Sequence, residues 1–204
     1  MRPVTVTRAR SVILGALSIE VIVLVVTGAI LYVAYVPTAT QAFGPGFPDA
    51  EGGELAQFLR LIHRWAAWLA VPTSVTAAAL LGLRGRPAER TAPGLAVGGG
   101  LVAATVAALL TGFLLPWNQI ALSVVTVGGS LSGYTWLRND DLLFVVVDGT
   151  EVAPSTLLKW LVLHVVVLGG ATVALVALAW RRTHGAADPP NDADAHPIEV
   201  PAGV

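Results

Sequence analysis

Four long apolar runs decide most of what this chain can become. They lie at roughly 12–35 ("VILGALSIEVIVLVVTGAILYVAY"), 56–83, 95–115 ("LAVGGGLVAATVAALLTGFLL") and 156–180 ("TLLKWLVLHVVVLGGATVALVALAW"). Each reaches the about 20 residues that a helix needs to cross the hydrocarbon layer of a bilayer. In that layer a spanning segment must satisfy its own backbone hydrogen bonds, and runs of this length do so as helices. The expected fold is therefore all-α, a bundle of four transmembrane helices surrounded by lipid. Composition agrees: only 12% of the 204 residues are charged, about half the fraction usual in a soluble domain. Pro72 falls inside the second run, where it predicts a kink, and Pro116 ends the third. The first run is too long for the apolar core of a signal peptide and lacks a small-residue cleavage site, so it reads as a retained span.

Charge then orients the spans. Arg2, Arg8 and Arg10 precede the first; Arg84, Arg86 and Arg90 separate the second from the third; Arg181 and Arg182 follow the fourth. The other two connections are acidic or nearly neutral, with Asp49, Glu51 and Glu54 in 37–55, and Asp140, Asp141, Asp148 and Glu151 against Arg138 in 117–155. The positive-inside rule places both termini in the cytoplasm and the two long loops on the outer face of the plasma membrane. The expected divisions are a cytoplasmic N-terminus (1–11), a four-helix membrane domain (12–182) and a tail (183–204) rich in Pro, Asp and Ala, which reads as disordered. Nothing in this distribution points to nucleic acid.

Ionisable residues inside such runs are the natural candidates for function. With no cysteine in the chain, thiolate metal sites, iron–sulfur ligation and thioether haem attachment are excluded. Any metal must be held by oxygen or by His63, His164, His184 or His196. His63 lies nine residues after Glu54, a plausible helix start, and His164 nine after Ser155, a plausible N-cap behind Pro154. At 1.5 Å per residue each is about 13 Å into its helix, and both helices run inward. Two imidazoles at equal depth on different helices fit either a pair of structural hydrogen-bonding groups or axial ligation of a haem iron from its two sides. Arg60 and Lys159, the chain's one lysine, lie outward of their histidines. There they either snorkel to the interface or neutralise haem propionates. The "GGG" at 98–100 permits close helix packing or leaves room for a flat cofactor.

Four segments resemble the N-terminal, four-helix half of the cytochrome b family, including its short form, cytochrome b6. They are "VTGAILYVAYVPTATQAF" (26–43), "LRLIHRWAAW" (59–68), "TGFLLPWNQIAL" (111–122) and "STLLKWLVLH" (155–164), and they occur in family order and spacing. The similarity runs from about residue 14 to 185. It implies one haem b ligated by His63 and His164, with Arg60 and Lys159 at propionate-contacting positions and Gly28 and Gly112 at glycines that clear the haem face. The family's second histidine pair, one haem further inward, falls here on Ala77 and on Leu178 or Ala179, so the inner haem is expected to be absent. Gly15 and Gly98 keep the family's small residues around that level. His184 lies beyond the basic end of the fourth span and is expected to meet water.

The resemblance further implies a membrane electron-transfer subunit of a respiratory quinol/quinone oxidoreductase complex, not catalytic alone. Its partners would be quinone or quinol and another redox subunit: a Rieske-type iron–sulfur protein, a C-terminal cytochrome b-like subunit or a molybdenum oxidoreductase. The family's outer quinol site uses a Pro-Glu-Trp-Tyr motif from a C-terminal half, and no such motif occurs here. Only Trp117, Asn118 and Gln119 match its lining, so a quinone site would be shared with a partner. Glu20, in the inner half of the first span, reads either as a neutral carboxyl beside a polar neighbour or as a group serving a partner or a proton. The contrasting reading of the whole chain is a haem-free membrane anchor with both histidines hydrogen-bonded in its core.

Overall fold

The computed structural model describes residues 3–38, 42, 53–82, 92–118, 121, 123 and 153–184. Four helices account for almost all of them: α1 (Pro3–Ala34), α2 (Gly53–Gly82), α3 (Ala92–Leu114) and α4 (Pro154–His184). All four contain a stretch long and apolar enough to cross a membrane. Each begins earlier than the hydropathy runs predict. In α1 the helix takes in Arg8 and Arg10, because arginine is a good helix former and the hydropathy boundary marks the membrane edge rather than the end of the helix. The fourth helix does not start at Ser155: Ala153 is its N-cap and Pro154 its first residue, a position where proline loses no hydrogen bond. Instead the Thr156 hydroxyl accepts the Ala153 N–H at 3.3 Å. Pro72 lies within α2, which continues as helix to Gly82.

Neighbouring helices are antiparallel: two bonds join the start of α1 to the ends of its neighbours, and a third joins the ends of the parallel helices α1 and α3. Near the start of α1, Arg10 Nε donates to the Leu80 carbonyl near the end of α2 (2.8 Å), and Ser11 Oγ meets Nε2 of His184 at the end of α4 (3.1 Å). Just past the end of α1, Tyr35 donates to the Leu115 carbonyl just past the end of α3 (2.7 Å). The helices form a ring in which α1 and α3 each pack against both α2 and α4. Large apolar side chains such as Ile19, Ile22, Val25, Trp65, Leu69, Val166 and Val173 are exposed around it, as lipid-facing positions should be.

Beyond the histidine level the bundle holds an apolar core. Leu14, Leu17 and Val21 of α1, Ala70, Ala77 and Leu81 of α2, Val97 and Leu101 of α3, and Val176 and Ala179 of α4 form one buried cluster. A Cβ added at Gly98 would lie 2.9 Å from the Cα of Ala78 and 3.0 Å from its Cβ. Gly98 therefore brings α3 against the backbone of α2; it does not border a gap. A Cβ at Gly15 would meet nothing within 4 Å. His184 is exposed as expected, but it also stacks on Trp180 with ring centroids 4.4 Å apart, and Trp180 Nε1 donates to Ser18 Oγ at 2.7 Å.

Candidate haem-ligating histidine pair

His63 and His164 stand ten residues after the first residues of their helices, Gly53 and Pro154. Because α2 and α4 run in the same direction, equal spacing places the side chains at equal depth, about 15 Å along each helix at the α-helical rise. The side chains converge on the bundle axis, with ring centroids 6.3 Å apart and ring planes inclined at 59°. The predicted matched depth is thus a direct juxtaposition across the bundle.

The groups behind the two rings repeat one arrangement. On α1, Thr27 Oγ1 lies 2.9 Å from His63 Nδ1; on α3, Thr111 Oγ1 lies 3.0 Å from His164 Nδ1. The next residue in each helix is the glycine singled out in the sequence. A Cβ at Gly28 would lie 3.2 Å from His63 Cε1, and one at Gly112 would lie 3.1 Å from His164 Cε1. The missing side chains make room for the imidazoles themselves. Each Thr-Gly pair therefore receives the histidine of a neighbouring helix, α1 for α2 and α3 for α4, in an approximate two-fold relation. Thr27 and Thr111 are the site residues that charge and histidine spacing overlook. The sequence signal for them is the shared "TG" at 27–28 and 111–112.

Helix α4 carries a further device. From Leu163 to Gly169 its bonding is of the π type, which closes i→i+5 rings, absorbs an extra residue and is frequent at functional sites. His164 sits at the start of this stretch. The shift decides a question the sequence left open, since the extra residue brings position 179 rather than 178 to the bundle interior. Ala179 is 0% exposed and Leu178 38%. Ala77, fourteen residues after His63 in a helix without such a stretch, is 2% exposed.

Of the predicted cations, Arg60 is half-buried one turn before His63, and Lys159 is exposed five residues before His164. Both lie on the side of the histidines away from the chain termini. Glu20 faces its own bundle: Thr73 donates to its Oε1 at 3.0 Å, while its Oε2 is buried without a partner among the described residues. Ser74 and Thr105 bond α2 to α3 at 2.9 Å nearby. Trp117, behind Pro116, has φ 44°, a left-handed conformation that costs a bulky residue free energy. Asn118 Oδ1 accepts the N–H of Ala121 at 3.2 Å. Gln119 and the tail beyond His184 lie outside the described residues.

The pair suits a bis-imidazole metal centre. With a metal–nitrogen bond of about 2 Å and the nitrogen about 1.2 Å from the ring centre, two imidazoles on opposite sides of one ion have centroids about 6 Å apart. Both Nδ1 atoms are engaged, which directs Nε2 as the ligating atom, and a second hydrogen-bonding group behind each ring is what metal-bound histidines ordinarily have. No group of three or more His, Cys, Asp or Glu gathers among the described residues.

No protein-family model matches the chain. Among curated proteins it is similar to the cytochrome b6 of Synechocystis sp., 28% identical over 155 residues, covering 74% of this chain and 68% of that one. Cytochrome b6 of Prochlorococcus marinus is 28% identical over 70% of this chain and 65% of its own length, and that of a Cyanothece species 27% over 70% and 64%. The chain thus matches about two thirds of the length of these relatives. Four antiparallel apolar helices and this sequence similarity together support a relationship of the chain to the cytochrome b6 and cytochrome b proteins.

Proposed function

We propose that this chain is a membrane electron-transfer subunit carrying one haem b between His63 and His164. The observation that carries the reading is the facing pair of imidazoles, 6.3 Å apart by centroid, each fixed at Nδ1 by a threonine of the adjacent helix. His63 and His164 would hold the haem iron through Nε2. Gly28 and Gly112 let the imidazoles seat against α1 and α3. Arg60 and Lys159 would meet the propionates on the side away from the termini, where paired charge is least costly. Bound there, haem b supplies reversible one-electron chemistry, while the protein sets its position, ligation and surroundings.

By charge distribution both termini lie in the cytoplasm of a cell whose plasma membrane the chain spans, and the haem site lies in the outer half. The subunit would relay electrons between the quinone pool and a redox partner at the outer loops, as part of a respiratory oxidoreductase complex. A Rieske-type iron–sulfur protein, a C-terminal cytochrome b-like subunit or a molybdenum oxidoreductase fits that place, and any quinone site would be shared with it. With Ala77 and Ala179 at the second level, no histidine among the described residues stands there to hold a second haem.

A reduced-minus-oxidised spectrum of the purified protein tests the reading. It predicts a b-type α band at one haem per chain, lost in H63A and in H164A. A colourless protein from haem-replete cells would instead support a structural anchor.

A further inference from the structure

We infer that Thr27 and Thr111 are positioning residues that set the tautomer and ring orientation of the two histidines, each for one side of the site. The inference rests on the haem reading above and adds to it two residues that neither the histidine spacing nor the cation placement picks out.

The argument follows from counting protons. A threonine hydroxyl has one hydrogen to donate and can accept with its lone pairs. Thr27 Oγ1 is 2.6 Å from the Val23 carbonyl one turn back in its own helix, and 3.4 Å from that of Leu24. Thr111 Oγ1 is 2.9 Å from the Ala107 carbonyl and 3.1 Å from that of Ala108. A carbonyl only accepts, so in both cases the hydroxyl hydrogen is committed to the helix. Toward the imidazole at 2.9 or 3.0 Å the hydroxyl oxygen can then only accept. With the hydroxyl donating to its helix, the hydrogen in that contact comes from the ring, which places it on Nδ1. A neutral imidazole protonated at Nδ1 carries its free lone pair on Nε2, the form a metal requires.

Each helix therefore converts a backbone carbonyl, which points along the helix axis, into an acceptor aimed sideways at the neighbouring helix. A valine in place of either threonine leaves the histidine on its own helix and removes only the acceptor behind the ring. The expected loss is of orientation and of ligand basicity, with haem binding weakened but not abolished. A bond from Nδ1–H to an acceptor raises the basicity of Nε2 and favours the higher oxidation state of a bound metal. Its loss raises the reduction potential.

The test uses T27V and T111V, which keep the side-chain shape without the hydroxyl, together with T27S and T111S, which keep the hydroxyl. T105V serves as a control. Thr105 is equally buried, bonds to its own helix carbonyls at 2.9 and 3.0 Å, and meets Ser74, not a histidine. The readouts are haem affinity, the potential of the α band and the low-spin ferric g values, which report ring orientation. Each valine variant is expected to lose about tenfold in haem affinity, to move the potential upward and to shift the g values, with serine restoring all three and T105V moving none. Unchanged potential and g values in T27V and T111V would overturn the inference, as would equal shifts in T105V. If a valine variant does not accumulate in the membrane, the alanine variant, which adds no bulk, carries the same expectations. A wild-type protein that binds no haem at all would defeat the haem reading itself, a result separate from these.

Discussion

The bundle offers a comparison within one molecule. At the histidine level, two rings face each other and are backed by Thr27-Gly28 and Thr111-Gly112. About four helical turns further along, the equivalent positions are Ala77 and Ala179, and Leu14, Leu17 and Leu101 are buried with them. Both levels use glycine, with opposite consequences. Gly28 and Gly112 admit an imidazole from another helix, whereas Gly98 admits the backbone of α2 at Ala78. A small residue in a membrane helix leaves space, and the neighbour decides whether a side chain or a whole helix takes it. At the second level the alanines stand in a buried apolar cluster, and Gly98 lies against the α2 backbone.

The comparison breaks most sharply at the histidines. H63A and H164A are each expected to abolish the b-type α band, since one remaining imidazole leaves the metal open on one face; a spectrum of purified protein decides it. Next in size is the reverse change. A77H with A179H places imidazoles at the apolar level, yet the haem-to-chain ratio measured by pyridine haemochrome is expected to remain one. Overpacking typically costs about 1–3 kcal/mol per site, so thermal stability in detergent should fall. A ratio of two would show that the apolar core opens readily.

G98A sharpens the same point at a single atom. Its Cβ meets backbone at 2.9 Å, so α2 and α3 must separate, at a cost of about 1–3 kcal/mol, with a lower midpoint in thermal unfolding. The smallest effect is expected from G28A and G112A, whose Cβ atoms meet ring carbons at 3.2 and 3.1 Å. The rings must give by a few tenths of an ångström, which should shift the potential and the α-band position while leaving the fold intact.

Much of this was legible in the sequence because a bilayer is a demanding solvent. Long apolar runs have few alternatives to spanning helices, and a histidine inside such a run stands out at once. Equal spacing from Glu54 and from Ser155 was enough to match the two histidines in depth, even though the fourth helix begins at Pro154 and not at a Ser155 cap. Rotation about the helix axis was less legible. Whether Leu178 or Ala179 faces inward depended on the π stretch from Leu163 to Gly169, and hydropathy carries no trace of one additional residue in a turn.

The sequence by itself determined the four spans, the sign and place of the charges, and the two imidazoles at one depth, because each depends only on composition and on distance along a helix. The tertiary structure alone decided which hydroxyl meets which ring, that Glu20 meets Thr73, and that Ala77 lies in a buried apolar cluster. Those outcomes depend on how helices far apart in sequence are rotated and how nearly they approach. Interhelical hydrogen bonds near 3 Å and Cβ clearances of a few tenths of an ångström set both, and no one-dimensional pattern records them.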